Sequence, residues 1–253
     1  MSLACKNLTL AAGNRVLVSD LNLTLQQGRF VGVLGRNGAG KTTALHVLAG
    51  LQEADSGSVS LDDRSIRDWP RREIALRLGL LMQNYEDPFS STVIETTLIG
   101  RHPHLGFWQW ETEDDVKIAH EAIDRMKLNG LEQRQIDTLS GGERRRLALA
   151  TVLAQDPDIF LLDEPANHLD PQHVRDVMAL FRAHADSGRA VIASLHDVNA
   201  AERYCDRCLL LFGDGRWLEG ATNEILNEDN LQDLYGIHVQ QLEWEDRRIF
   251  VAS

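Results

Sequence analysis

Alternating apolar and polar positions mark the first part of the chain. Between residues 8 and 25 the apolar side chains recur with a period of two, and the pair Gly13-Asn14 interrupts them. This period is typical of strands that bury one face, and a Gly-Asn pair between two such runs indicates a turn. The amino-terminal part is therefore predicted to pair as an antiparallel sheet.

Four short apolar runs without polar interruption follow further along the chain. They occupy residues 30–34, 78–82, 159–162 and 190–194, and stretches with helical periodicity separate them. Unbroken apolar runs are typical of strands buried on both faces, as in a parallel sheet covered by helices. A helix is predicted over 41–51, directly after the first run. The alternation of strands and helices predicts an α/β fold with crossover connections.

The strand pattern is absent between residues 84 and 155. Within this stretch, residues 113–127 carry apolar side chains at helical spacing, with charged residues between them. We therefore predict a mostly helical subdomain, 84–155, inserted into a core formed by 1–83 and 156–219. The core includes the antiparallel sheet as a β subdomain.

The remaining residues, 220–253, are predicted to form a carboxy-terminal extension. Their pattern indicates a helix over 228–235 and two edge strands over 238–243 and 248–251. No repeat or low-complexity linker divides the chain, so residues 1–253 are expected to form a single domain.

Composition narrows the range of functions. With 43% hydrophobic and 25% charged residues among 253, the chain is expected to bury a core without disulfides, which excludes a disordered or disulfide-scaffold protein. A formal net charge of −12 argues against a nucleic-acid partner, because phosphate backbones attract basic surfaces. The three cysteines, Cys5, Cys205 and Cys208, fit no zinc-ribbon spacing and are expected to be reduced thiols in the cytoplasm. No apolar run reaches the ~18–20 residues of a membrane span, so we expect any membrane role to come through a partner.

The strongest chemical signal is the sequence GRNGAGKT at residues 35–42, between a predicted strand and a predicted helix. It fits the phosphate-binding pattern G-x-x-x-x-G-K-[ST] in the context that this pattern requires. Glycines let successive backbone N–H groups face a phosphate, the lysine reaches the terminal phosphates, and the threonine hydroxyl coordinates Mg²⁺. The residues predicted to bind the phosphates of a nucleotide are Gly35, Asn37, Gly38, Ala39, Gly40, Lys41, Thr42 and Thr43.

Two adjacent carboxylates follow the apolar run 159–162. Asp163 and Glu164 stand at the carboxyl end of a predicted strand, where open α/β sheets bind ligands. Adjacent strand residues point to opposite faces, so the two side chains are expected to have different roles. We assign Asp163 to Mg²⁺, through the water shell of the ion, and Glu164 to general-base activation of the attacking water.

Four further motifs accompany the glycine-rich loop and the carboxylate pair. In their order along the chain, all of these motifs resemble those of the ATP-binding cassette ATPases, and the resemblance covers nearly the whole chain. Gln83 is similar to the Q-loop glutamine of that family, and LSGGE at 139–143 resembles its signature motif, with Glu where Gln is frequent. Residues 165–170 resemble the D-loop, and SLHD at 194–197 resembles the switch histidine region.

The resemblance implies a P-loop NTPase (RecA-like) core with an antiparallel β subdomain and an inserted helical subdomain. It implies that the chain binds ATP and Mg²⁺ and hydrolyses ATP as a homodimer. The implied catalytic residues are Glu164, His196 and Gln83, and the implied metal residues are Thr42, Gln83 and Asp163. The residues implied to bind the γ-phosphate of ATP held by the opposite subunit are Ser140, Gly141, Gly142 and Glu143.

A finer resemblance lies in residues 98–104, 196–206 and 230–236, which look like the ATPase subunits of bacterial importers for iron-siderophores, haem and cobalamin. Such a subunit is implied to work at the cytoplasmic face of the inner membrane, with permease subunits as partners and, indirectly, a substrate-binding protein. Residues 87–89 and 106–110 favour cobalamin slightly. A soluble cassette ATPase of iron-sulfur assembly remains the alternative. A DNA-repair cassette would carry a coiled-coil insertion and a translation cassette would carry a second cassette, and the sequence has neither feature.

Two clusters of side chains have roles that the sequence leaves open. The aromatic residues Phe89, Phe107, Trp108 and Trp110 are dense for a chain with 6% aromatics, and they form either core or a contact surface for the membrane subunit. The run RRR at 144–146 is interpreted as a solvated helix face and is left outside the site.

The predicted nucleotide site lacks one element that the family resemblance leads us to expect. In the family an aromatic ring before the turn at Gly13 stacks on adenine, but Ala11 and Ala12 occupy that place. We therefore expect weak ATP binding with poor discrimination between bases.

Overall fold

The computed structural model describes residues 2–83, 90–106, 108–245 and 247–252. In these residues the strands are β1 Ser2–Ala12, β2 Arg15–Gln26, β3 Phe30–Gly35, β4 Ser56–Leu61, β5 Arg64–Ser65, β6 Leu78–Leu81, β7 Ile159–Asp163, β8 Ala190–Ser194, β9 Arg207–Leu211, β10 Trp217–Ala221, β11 Val239–Trp244 and β12 Arg247–Ala252. The α-helices are α1 Lys41–Leu48, α2 Arg71–Arg77, α3 Val93–Ile99, α4 Glu113–Arg125, α5 Gly141–Gln155, α6 Pro171–Asp186, α7 Val198–Tyr204, α8 Thr222–Ile225 and α9 Glu228–Tyr235.

The central sheet has six strands in the order β10-β9-β3-β8-β7-β6. All are parallel except β10, which pairs antiparallel with β9. Every residue of β3, β7 and β8 is buried, because helices and the amino-terminal sheet cover both faces. The four strands predicted from unbroken apolar runs are confirmed. Their carboxyl ends lie along one edge of the sheet, where the predicted chemical residues follow them.

The amino-terminal sheet has the order β2-β1-β4-β5 and is antiparallel throughout. Leu21, Leu23 and Leu25 are buried while the two residues between them are exposed, which confirms the alternating pattern. Gly13 forms the turn between β1 and β2 with a positive φ of 60°. The buried face of this sheet packs with α1 against the central sheet, so it belongs to the same core.

Helix α1 ends earlier than predicted. It stops at Leu48 rather than at residue 51, since Gly50 adopts a left-handed conformation with φ of 68°.

Three helices, α3, α4 and α5, pack together in the stretch predicted to be a helical subdomain. Helix α4 confirms the periodicity of 113–127. Arg101 donates from Nε to Asp115 at 2.8 Å and from a second nitrogen to Ala154 O at 2.8 Å, so this buried ion pair joins the three helices. The described part of the stretch 84–155 contains no strand. Its limits as a subdomain, and those of the core segments, stay predictions.

The two predicted carboxy-terminal edge strands are confirmed, with bounds that differ by one residue. Among the described residues they pair with each other as a separate hairpin, β11-β12, so each strand has one free edge. Asn199 on α7 holds the hairpin through two hydrogen bonds to the backbone of Phe250, at 2.8 and 3.0 Å. The preceding helix, α9, agrees with the predicted bounds.

The three cysteines are buried free thiols, as the sequence suggested. Among the described residues, no helix combines the length and the apolar character needed to cross a bilayer.

Candidate functional site

The glycine-rich loop joins the end of β3 to the start of α1. Gly40 precedes the first helical residue with φ of 101°, and Gly38 has φ of 75°, so both adopt backbone conformations that favour glycine. A side chain at Gly38 would enter open space, whereas one at Gly40 would press on Leu17 at 3.3 Å. The loop thus presents bare backbone at a helix amino terminus, an arrangement that attracts anions.

Lys41 lies across this loop. Its ammonium nitrogen donates to Gly35 O at 2.8 Å and to Arg36 O at 3.3 Å, and the residue is only 6% exposed. Burial lowers the pKa of the lysine, while the charges of Glu164 and Asp163 oppose that shift. The carboxylates therefore favour a positive charge at the base of the loop.

A pocket of about 580 Å³ opens above the loop. Its lining consists of Ala12, Leu17, Asn37, Gly38, Gly40, Lys41, Thr42, Thr43, Gln83, Glu164, Asn167 and His196. Most of the residues predicted from the glycine-rich loop and from the strand ends are thus brought together. Gly35, Ala39 and Asp163 are buried and do not line the pocket. Ser140, Gly141, Gly142 and Glu143 do not line it either.

The carboxylate of Glu164 is held by three donors from different elements. Oε1 accepts from His196 Nε2 at 2.6 Å, and Oε2 accepts from Gln83 at 2.9 Å and from Asn167 at 3.0 Å. Glu164, Gln83 and His196 follow the adjacent strands β7, β6 and β8, and this explains why they meet. Asn167 lies in the predicted D-loop region and is a site residue that the sequence motifs do not single out.

Asp163 lies below the pocket and is fully buried. Its Oδ1 accepts from Ser194 Oγ at 2.5 Å, and the same hydroxyl accepts from the backbone N–H of Glu164 at 2.8 Å. Among the described residues, no donor reaches its Oδ2. A buried carboxylate oxygen without a donor is costly unless water or a cation satisfies it. This orphaned oxygen fits the predicted role in holding Mg²⁺ through bound water.

The signature residues form the amino terminus of α5. Ser140 caps the helix by accepting from the backbone N–H of Glu143, and the carboxylate of Glu143 accepts from Ser140 N at 2.8 Å. These bonds from Ser140 lower the pKa of Glu143. Glutamate at this place therefore completes a reciprocal capping box. Ser140 and Gly141 are exposed at this helix end and do not belong to the pocket lining.

Arg145 contradicts the prediction that residues 144–146 form a solvated face. Arg144 is exposed and Arg146 half-buried, but Arg145 is only 7% exposed and donates to backbone carbonyls at the ends of β6 and β7. It shares a helix face with the buried Leu149 and Val152, at spacings of four and seven residues. That spacing is the sequence signal by which Arg145 could have been found.

Comparisons with known proteins identify the family of the chain. The family model described as ABC transporter matches residues 18–167. A hemin import ATP-binding protein, HmuV of Pseudomonas putida, is 42% identical over 94% of this chain and 93% of its own length. The ferric enterobactin transport ATP-binding protein FepC of Escherichia coli is 36% identical over 92% of this chain and 86% of its own.

Two solved structures show the same fold. One, an inward-facing conformation of a metal-chelate type ABC transporter, covers all of this chain and 97% of the compared chain, with TM-score 0.85 and 27% identity. The other, a dimeric ATP-binding cassette in a post-hydrolysis state with ADP and Pi, covers 87% of this chain and 98% of its own, with TM-score 0.75 and 26% identity. The chain belongs to the ABC transporter family and is one of its ATP-hydrolysing subunits.

Proposed function

We propose that the chain powers an importer of iron chelates, with haem or a ferric siderophore as cargo. The observation that carries the enzymatic part is the carboxylate of Glu164, held by Gln83, Asn167 and His196 at the mouth of the phosphate-binding pocket. The cargo is supported by the names of the relatives, a hemin import protein and a ferric enterobactin transport protein.

In this proposal the glycine-rich loop binds the phosphates of ATP. Gly38 and Gly40 present backbone N–H groups, and Lys41 exchanges its bonds to loop carbonyls for bonds to the terminal phosphates. Thr42, Gln83 and Asp163 would hold Mg²⁺, the last through water. The ion, when bound, neutralises charge on the β- and γ-phosphate oxygens.

Glu164 acts as the general base in the proposed mechanism. A water in the pocket displaces one of the donors of its carboxylate and is oriented by the released amide of Gln83. It gives its proton to Glu164 as its oxygen bonds to the γ-phosphorus and the bond from that phosphorus to the β-phosphate oxygen breaks, which leaves ADP and phosphate. His196 keeps its bond of 2.6 Å to Oε1 and so fixes the direction in which the other oxygen points. The three side chains therefore have separate tasks of proton removal, water orientation and alignment.

We further propose that two copies complete each site. The signature residues of this chain lie outside its own pocket, and the helix end at Ser140 is exposed. A helix amino terminus suits the γ-phosphate, so the free end of α5 in one copy can cover ATP held by the other. The similarity to a dimeric cassette supports this arrangement.

An apolar surface supports the proposal of a membrane partner. A groove of about 200 Å³ lies between β6, α3 and α5, and the partly exposed Met82 and Ile99 line it. Trp108 and Trp110 are 89% and 87% exposed, so the interpretation of these two rings as core is wrong. Phe89 and Phe107 lie outside the described residues. We propose that the groove and the two exposed rings contact the permease at the cytoplasmic side of the membrane, while a substrate-binding protein delivers the cargo from the other side.

Transport by the reconstituted complex tests the cargo. The chain, its permease from the neighbouring genes and the cognate binding protein are placed in liposomes, and uptake of haem, a ferric catecholate siderophore and cobalamin is compared with and without ATP. We expect ATP-dependent uptake of an iron chelate and none of cobalamin, which neither of the two relatives carries in its name. Uptake of cobalamin alone would refute the iron-chelate proposal.

The alternative of iron-sulfur assembly predicts different partners. An importer subunit should co-purify with a polytopic membrane protein and should hydrolyse ATP faster in that complex. Stable association with soluble iron-sulfur assembly proteins, without a membrane protein, would favour the alternative.

A further inference from the structure

Three consecutive arginines of α5 have different sets of partners. Arg144 donates to Asp137 O at 2.8 Å, and Arg146 donates to Met126 O and Lys127 O at 3.0 and 2.7 Å. All of these partners lie in the predicted helical subdomain. Arg145, between them, makes its described hydrogen bonds to the central sheet instead.

Arg145 binds the backbone at two catalytic strand ends at once. One terminal nitrogen donates to Met82 O at 2.7 Å and Gln83 O at 3.4 Å, after β6. The other donates to Glu164 O at 2.7 Å and also to Asp163 O, at the end of β7. The planar fork of a guanidinium is suited to two such sites, because its donors have fixed relative directions.

The hydrogen bonds among Gln83, Glu164 and Arg145 form a closed ring. The side chains of Gln83 and Glu164 are joined at 2.9 Å on the pocket side, while Arg145 joins their backbone carbonyls from the helix side. Burial of Arg145 lowers its pKa, and the carboxylates of Asp163 and Glu164 oppose that effect. The cation is therefore enclosed by carbonyl oxygens and two neighbouring negative charges.

We infer that Arg145 is a positioning residue that couples the signature end of α5 to Gln83 and Glu164, an inference that builds on the proposed two-copy mechanism. Ser140 and Arg145 are five residues apart on one rigid helix, which corresponds to about 7.5 Å along its axis. When Ser140 of one copy binds ATP held by the other copy, Arg145 of the first copy aligns the base for the ATP in its own pocket. Each bound ATP thereby promotes hydrolysis of the other.

Cooperativity of hydrolysis is the readout that separates coupling from a structural role. The full-length parental protein, Arg145→Met and Arg145→Lys are compared by the rate of phosphate release against ATP concentration, and by binding of a fluorescent ATP analogue. Methionine keeps the aliphatic bulk but no donor, whereas lysine keeps a charge without the fork. Arg146→Met is the matched control. Arg146 lies on the same helix and also donates to two backbone carbonyls, but these carbonyls are not at the strand ends.

We expect Arg145→Met to lower kcat by about 10- to 100-fold, since small misplacements of catalytic groups have effects of this order. The Hill coefficient should fall from near two toward one, and the affinity for the ATP analogue should change by less than about threefold, as the phosphate-binding loop is untouched. Arg145→Lys should lose less activity than Arg145→Met, and Arg146→Met should match the parent.

If Arg145→Met does not fold, the comparison of Arg145→Lys with Arg146→Met distinguishes coupling from a structural role. Arg145 variants with the kcat and Hill coefficient of Arg146→Met would overturn the inference, as would a parent that hydrolyses ATP without cooperativity. A failure of the proposed transport function would give a different result. The unmodified protein would then hydrolyse ATP without uptake of an iron chelate.

Discussion

Replacing Glu164 by glutamine tests its proposed role as a base while the surrounding hydrogen bonds can still form. The carboxylate accepts hydrogen bonds from His196, Gln83 and Asn167. A glutamine oxygen can still accept from the two amides. Its NH2 group can donate to His196 once the half-exposed imidazole carries its proton on Nδ1. All three contacts are therefore available to Glu164→Gln, but proton removal is not.

The expected effect on rate follows from the lost base. Removal of a general base forfeits about 10²- to 10⁴-fold in rate, which corresponds to about 2.7–5.4 kcal/mol in the activation free energy. The effect on folding should be smaller, because neutral hydrogen bonds replace charge-assisted ones without leaving a donor unpaired. We expect the free energy of unfolding to change by less than about 2 kcal/mol.

Phosphate release at saturating Mg-ATP measures the loss of turnover, and size-exclusion chromatography with ATP measures whether uncleaved nucleotide holds Glu164→Gln as a dimer. Glu95→Gln provides the matched control, because Glu95 is an exposed carboxylate in the capping box of α3. The control should hydrolyse ATP within about twofold of the parent, as surface changes usually have small effects. Hydrolysis by Glu164→Gln at the rate of the control would remove Glu164 from the role of base.

Three further variants test binding and transport. Lys41→Ala should weaken ATP binding by about tenfold or more, because it deletes a charge-assisted phosphate contact, and an unchanged Kd would contradict that role. Replacing the exposed Trp108 and Trp110 together by serine should abolish uptake but spare ATPase activity and Tm, with the exposed Trp244→Ser as control, and a lower Tm would show instead that the rings support the fold. Ala12→Tyr should raise ATP affinity by about tenfold by stacking on adenine, and strong preference of the parent for ATP over GTP would mean that another group reads the base.

The parts of the fold that the sequence could predict are those with local causes. Unbroken apolar runs locate β3, β6, β7 and β8 because each strand must be covered on both faces. Parallel strands then place the residues that follow them at one edge, so the meeting of Gln83, Glu164 and His196 follows from the fold class.

The missed features depend on partners far along the chain. The charge of its neighbours predicts a solvated Arg145, but its position on α5 turns it toward the carbonyls of residues 82 and 164. The last two strands pair with each other in a hairpin of their own, and their apolar pattern does not show which strands will meet. Ser194 belongs to a predicted strand and to the SLHD sequence, but neither pattern shows that its hydroxyl joins Asp163 to the backbone of Glu164.

Glu164 is aimed by its backbone as much as by its side-chain contacts. Its φ of 49° is left-handed, a conformation of higher energy for a residue with a side chain, which persists only where the surroundings impose it. Two polar side chains supply that constraint, since the Ser194 hydroxyl accepts from its N–H and Arg145 donates to its carbonyl oxygen. One restraint comes from the neighbouring strand β8 and the other from α5, which begins with the signature motif. The direction of the Glu164 side chain therefore depends on the position of α5 relative to the sheet, and in the proposed mechanism this dependence links a movement of that helix to the general base.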